Sequence, residues 1–270
     1  IVTGFFAQDD PNANSSAIGS APARFGLLDT SPARWETFRF KLAKLNAQAE
    51  WGTQYKAIFF ARHGEGFRMR FADNVAEAKY GTPVRTYWSK LDGDGEIVWG
   101  PDANLTDNGV QQAITVGELW KAEHKFNIPL PQKLYASPMR RALYTFKLEL
   151  EDSGVINDLF LRTLILEDLR EQYGVHTCDM RFTKTEIAEN FHAPVYHFER
   201  GFAENDTLWT ADERESSEHT AWRAKQVLDK IFTEDKFETY IGITAHSGII
   251  NGFVRTLGRP RYALHTGGEL

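Results

Sequence analysis

The chain has 270 residues, of which 42% are hydrophobic, 25% charged and 13% aromatic, a composition that excludes long disorder, collagen-like repeats and coiled coil. With 37 acidic against 31 basic residues the formal charge is −6, which argues against a broad electrostatic hold on nucleic acid or an anionic membrane. No apolar run approaches the roughly 18 residues of a membrane span, and the single cysteine, Cys178, excludes an intrachain disulfide and a thiolate zinc site.

Residues 8–34 are rich in Asp, Asn, Ser, Pro, Ala and Gly and read as an irregular arm lying on the surface. From Ser31-Pro32, Trp35, Phe38, Leu42 and Leu45 recur at helical spacing to about Ala49, an amphipathic helix. Residues 1–54 are thus expected to form an arm and helix packed on a domain of residues 55–270. Tyr55 to Ala61 is an almost unbroken apolar run, the pattern of a strand buried on both faces in a parallel sheet. Asp92-Gly93-Asp94-Gly95-Glu96 reads as a hairpin turn. Further buried strands are expected at Lys133 to Ala136, Thr163 to Leu166 and Thr239 to Thr244, alternating with helices near 106–124, 138–151, 183–191, 216–234 and 247–257. The alternation predicts the α/β class, a three-layer α/β/α sandwich around a mostly parallel sheet.

Two of these strands run straight into polar segments, Arg62-His63-Gly64 and Ala245-His246-Ser247-Gly248. Ligands of open α/β sheets bind beyond the carboxyl ends of the strands, so the two histidines are expected to converge. The strand ending at Ala136 enters Ser137-Pro138-Met139-Arg140-Arg141, where Ser137 is expected to cap a helix with Pro138 at its first position. Two imidazoles and at least two guanidiniums in an otherwise acidic protein suit a dianionic phosphoryl group, and an imidazole can attack phosphorus and carry the group covalently. His192 and His197 suit no helical metal face and read as structural.

Five ordered blocks carry a family resemblance: Arg62-His63-Gly64-Glu65-Gly66; Leu105-Thr106-Asp107-Asn108-Gly109 with Gln112-Ala113; Ser137 to Ala142 with Thr145; Leu169-Arg170-Glu171; and Ala245-His246-Ser247-Gly248. Over about residues 55–260 the chain resembles the histidine phosphatase superfamily, the phosphoglycerate-mutase-like proteins, and looks closest to their fungal branch through Leu169 to Asp179, Asp206 to Trp209 and Asp212 to Glu215. The resemblance implies His63 as nucleophile, Arg62, Arg141 and His246 as the pocket for the phosphoryl oxygens, and Glu171 as proton donor to the leaving oxygen. Asp168, Glu167 or Asp179 are alternatives for that proton, because the family's glycine four residues beyond the glutamate stands three beyond it here, at Gly174.

The family's histidine-asparagine pair after the first block is replaced by Phe67 to Glu77, read as an insertion that displaces a phosphate-holding Asn74. Arg68, Arg70, His176 and Asp179 are candidates for a substrate loop. Thr266 to Leu270 resembles the start of a closing segment. The implied activity is metal-independent hydrolysis of a small phosphorylated metabolite through a phosphohistidine, with no cofactor, no metal, no nucleic acid and no membrane partner. A mutase-type phosphotransferase, or a repurposed member binding a small metabolite, is the alternative. The sequence specifies no oligomeric state, and the compartment leans to the cytoplasm with secretion the alternative.

Overall fold

A computed structural model of the chain, described for residues 1–67, 87–156 and 161–268, contains a five-stranded sheet whose pairings are all parallel. Its strands are β1 (Ala57–Arg62), β2 (Lys133–Ala136), β3 (Thr163–Ile165), β4 (Tyr196–Phe198) and β5 (Tyr240–Ala245), in the spatial order β1-β5-β2-β3-β4. The principal helices are α1 (Arg34–Ala47), α2 (Asp107–His124), α3 (Arg140–Phe146), α4 (Lys184–Asn190), α5 (Ser217–Glu234) and α6 (Ser247–Thr256). A wider helical turn, Lys147–Glu151, prolongs α3.

The alternation along each strand divides the core in two. Phe59, Leu134, Ala136 and Ile165 pack with Trp35, Val116, Trp120, Leu143 and Ile187, so α1 to α4 cover one face. Phe60, Tyr135, Ile241, Ile243 and Ala245 pack with Val227, Ile231, Ile249 and Phe253, so α5 and α6 cover the other. Three layers result, as the apolar runs imply. Successive crossovers move outward from β1 to β4 with helices on the first face and return to β5 with α5 on the second, which keeps the connections right-handed. The sense reverses around β5, between β1 and β2, and this is where a ligand crevice belongs.

Three local expectations are corrected. The arm is not wholly superficial: most of it is exposed or half-buried, but Phe25 and Leu27 are buried in the core, Phe25 against Phe59 and Trp120, because a segment of mostly polar and small residues still carries the few large apolar groups that close this face. Short helical turns at Ala7–Asp9, Ser15–Ile18 and Ala23–Gly26 also make it more regular than its composition implies. The second correction is that α3 starts at Arg140, not at Pro138. The Ser137 hydroxyl is held 2.7 Å from His246 Nε2, and the Arg140 N–H instead donates to both Asp102 carboxylate oxygens at 3.0 and 3.1 Å. Third, β4 escaped the sequence reading, since three residues show no period. The turn at Asp92 to Glu96 is as expected: the Asp94 N–H donates to the Ile97 carbonyl, and Gly93 bridges Val98.

Candidate functional site

His63 directly follows β1 and His246 directly follows β5, and the register pairs Arg62 with Ala245, so neighbouring strands deliver both imidazoles to one place. Their ring centroids are 4.9 Å apart, and both residues are buried. Nδ1 of His63 lies 2.6 Å from the Gly64 carbonyl, which can only accept. Nδ1 therefore carries the hydrogen and Nε2 keeps its lone pair. Burial first, then the Arg141 and Arg62 charges, push the His63 pKa well below its usual value of 6.5. His246 is depressed in the same way by burial, Arg141 and His63. Its Nδ1 is a buried polar atom with no hydrogen-bond partner among the described residues.

Arg141 rises from the first turn of α3 and is 4% exposed. Its Nη1 donates to the Cys178 carbonyl at 2.8 Å and its Nη2 to Asp179 Oδ1 at 2.9 Å, which fixes the guanidinium beside both histidines. Arg140 diverges: it donates to the Asp102 carbonyl, at 3.1 Å through Nε, and lies over the Phe182 ring. Arg62 donates from Nη1 to the Leu264 carbonyl. The segment after it is lashed to the strand exits, with Gly267 N–H donating to the His63 carbonyl at 3.0 Å and Arg62 N–H to Gly268 at 2.8 Å.

The Leu105 to Gln112 block meets the Arg62 to Gly66 block through the backbone. Thr106 N–H donates to the Glu65 carbonyl at 2.9 Å, Glu65 N–H to Gln112 Oε1 at 2.8 Å, and the Thr106 hydroxyl to Glu65 Oε1 at 2.8 Å. Gly64 N–H donates to the Thr145 hydroxyl at 3.0 Å, and that hydroxyl donates to the Arg141 carbonyl at 2.7 Å. The loop bearing His63 is thereby tied to the helix bearing Arg141.

Glu171 lies over the start of α6: its Oε2 accepts from Gly248 N–H at 3.2 Å, two residues after His246, and its Oε1 from Gln172 N–H at 3.0 Å. A Cβ on Gly248 would stand 1.9 Å from Glu171 Oε1, so a side chain at 248 would displace this carboxylate from its place. Gly174 has φ +84°, and a Cβ there would stand 1.8 Å from the Glu213 carbonyl oxygen, which accounts for the position of the glycine three residues after Glu171.

Two of the alternative carboxylates are engaged by arginines. Glu167 is held by Arg170 and by Arg181, both at 2.9 Å, and Asp179 by Arg141 at 2.9 Å and Arg214 at 2.8 Å. Asp168 is raised by burial, against the Arg223 charge, in a cluster with Glu167, His219 and Glu215. His176 lies 3.8 Å from Asp179, whose carboxylate backs Arg141. Arg68, Arg70 and Asn74 lie outside the described residues. Sequence reasoning did not single out Asp102 or Arg223, whose contacts with Arg140 and Asp168 span 38 and 55 residues with no local pattern to mark them; Arg214 and Glu215 entered only as part of the Asp212 to Glu215 block. Among the described residues no group of three or more His, Cys, Asp or Glu could hold a metal ion, and no helix is long and apolar enough to cross a membrane.

Two imidazoles, two guanidiniums and the amino terminus of α6 thus gather at the carboxyl ends of β1, β5 and β2, an arrangement able to bind a dianion and to present an unprotonated nitrogen to it. Residues 85–265 match the histidine phosphatase superfamily (branch 1), a stretch that begins downstream of His63. Similarity to single proteins reaches further. The chain is 39% identical over 284 residues to "Probable phosphoglycerate mutase" of Arthroderma benhamiae, covering 98% of this chain and 81% of that protein. It is 33% identical over 267 residues to "Phosphomutase-like protein 3" of Candida albicans, covering 98% and 76%. Of solved structures, the alpha-ribazole phosphatase from Shigella flexneri aligns with a TM-score of 0.46 at 15% identity over 78% of this chain and 86% of that one. On the family match and these two fungal relatives, the chain belongs to the histidine phosphatase superfamily, branch 1.

Proposed function

We propose that the protein is a metal-independent phosphomonoester hydrolase acting on a small phosphorylated metabolite through a phosphohistidine. The observation that carries this reading is the pairing of His63 and His246, 4.9 Å apart between Arg62 and Arg141, with the His63 Nδ1 hydrogen committed to the Gly64 carbonyl. The substrate phosphate docks on Arg62, Arg141 and His246, and the two guanidinium charges together with the N–H groups of all three supply the stabilisation that a metal ion gives elsewhere. His63 Nε2 attacks phosphorus in line, the bond from phosphorus to the alcohol oxygen breaks, and Glu171 protonates that oxygen. Water, deprotonated by the Glu171 carboxylate, then cleaves the phosphohistidine and releases inorganic phosphate with His63 neutral again.

The test is turnover of p-nitrophenyl phosphate from acid to neutral pH with chelator present. His63→Ala should remove it, and turnover retained in that variant would sink the assignment. A second reading, mutase-type phosphotransfer, is favoured by the name of the 39% identical relative, "Probable phosphoglycerate mutase". An activity on monophosphoglycerates that depends on added bisphosphate would establish it in place of hydrolysis.

A further inference from the structure

Arg223, on α5, is 1% exposed and uses every hydrogen-bond donor it has. Nε and Nη2 grip the two oxygens of the Glu215 carboxylate, each at 2.6 Å. The remaining donors fan out to three carbonyls of one short segment: Nη1 to Asp168 at 2.7 Å and to Arg170 at 3.1 Å, and Nη2 to Glu171 at 3.4 Å. Glu215 is itself oriented, since its Oε1 lies 2.7 Å from His219 Nδ1 and its backbone carbonyl accepts from the Gln172 side chain at 3.3 Å. Burial alone would raise the Glu215 carboxyl, but Arg223 and His219 outweigh it and hold the group below its usual range.

We infer that the Arg223–Glu215 pair is a positioning device for Glu171. Resting on the hydrolytic reading above, the inference deepens it. Glu171 is fixed at two ends, its carbonyl by Arg223 and its carboxylate by the Gly248 N–H, so the loop sets where the proton donor meets the leaving oxygen. The phosphate pocket is built from other segments, the exits of β1 and β5 and the start of α3. Disturbing the pair therefore weakens proton donation while phosphate binding and the His63 nucleophile persist. A lysine at position 223 has three donors in place of five and no planar fork, so it cannot serve a carboxylate and three carbonyls together.

The device is tested by kcat/KM, which reports the phosphorylation step, for 2,4-dinitrophenyl phosphate, whose leaving group needs no proton, and for phenyl phosphate, whose leaving group does. In Glu215→Gln and Arg223→Lys, phenyl phosphate should lose about 10- to 100-fold, within the span of general acid catalysis, and the dinitrophenyl ester less than about 3-fold. Retained dinitrophenyl turnover also certifies the fold. An equal loss with both substrates, or no loss with either, would overturn the inference. Glu171→Gln separates the two levels of the argument. If that variant shows the selective loss and the pair variants do not, only the positioning role fails. If Glu171→Gln itself loses both substrates equally, the assignment of Glu171 as proton donor fails.

Discussion

At His63, one carbonyl sets the tautomer on which the proposed chemistry rests: because Gly64 accepts the Nδ1 hydrogen, Nε2 is left unprotonated. Three causes oppose the imidazolium, in order burial, Arg141 and Arg62, and together they outweigh the Gly64 hydrogen bond and the Asp179 charge, which favour it. The acid limb of kcat/KM assigned to His63 should therefore fall below pH 6.5, and replacing Arg141 by methionine removes a cation and should move that limb upward while raising KM. A pH–rate series on both proteins checks this; a limb unmoved in the variant would show that Arg141 does not set the histidine. His63, His246 and Arg141 were legible in the sequence because each sits in a short contiguous block at a strand end. Asp102 was not, although it caps α3, since its partner Arg140 is 38 residues away and no periodicity links them. Arg223 reaches the Asp168 carbonyl across 55 residues for the same lack of local signal.

The helices and strands that place the site were read from apolar runs and caps, and β1, β2, β5, α2, α5 and α6 stand within a residue or two of expectation. What the periodicity could not show is how two elements touch. Gly64, at the exit of β1, and Gly109, in the first turn of α2, meet backbone to backbone: a Cβ on Gly64 would stand 2.3 Å from the Gly109 carbonyl oxygen, and one on Gly109 would stand 2.1 Å from that of Glu65. Neither obstruction is a flexible side-chain end, so relief requires the loop to part from the helix. Gly64→Ala should cost about 1–3 kcal/mol of stability, as overpacking does, and at least about 10-fold in kcat/KM because His63 moves with the loop. At Gly66 the nearest atom to an added Cβ would lie 3.4 Å away, an ordinary contact, so Gly66→Ala is the matched control. Thermal denaturation and p-nitrophenyl phosphate kinetics on the two variants decide it, and equal behaviour would remove the close approach as the reason for glycine at 64.

For the molecule as a whole, the N-terminal arm is part of what closes the face of the sheet beneath α1 and α2. Arg34 and Trp35 of α1 donate to the Glu123 carboxylate of α2 at 2.8 and 2.7 Å, a buried clamp between the two helices. The arm adds Phe25, 3% exposed, with its ring centroid 4.5 Å from that of Trp120 and 6.3 Å from that of Phe59, the residue one position before Phe60 on β1. Arg24 and Phe25 hold this place at φ of 59° and 53°, left-handed backbone that persists only where packing outweighs its strain. Composition hid this because polar and small residues together dominate 8–34, and burial depends on where the chain places two or three side chains, not on the average. Phe25→Ala should therefore lower the unfolding free energy by about 3–5 kcal/mol, the cost of an aromatic removed from a packed core. Phe40→Ala, which truncates a ring 70% exposed on α1, should change it by no more than about 0.5 kcal/mol. Urea denaturation of the two variants tests the contrast. A Phe25→Ala protein as stable as Phe40→Ala would return the arm to the surface role its composition suggests; the expected gap would make it a structural wall behind the strand that delivers His63.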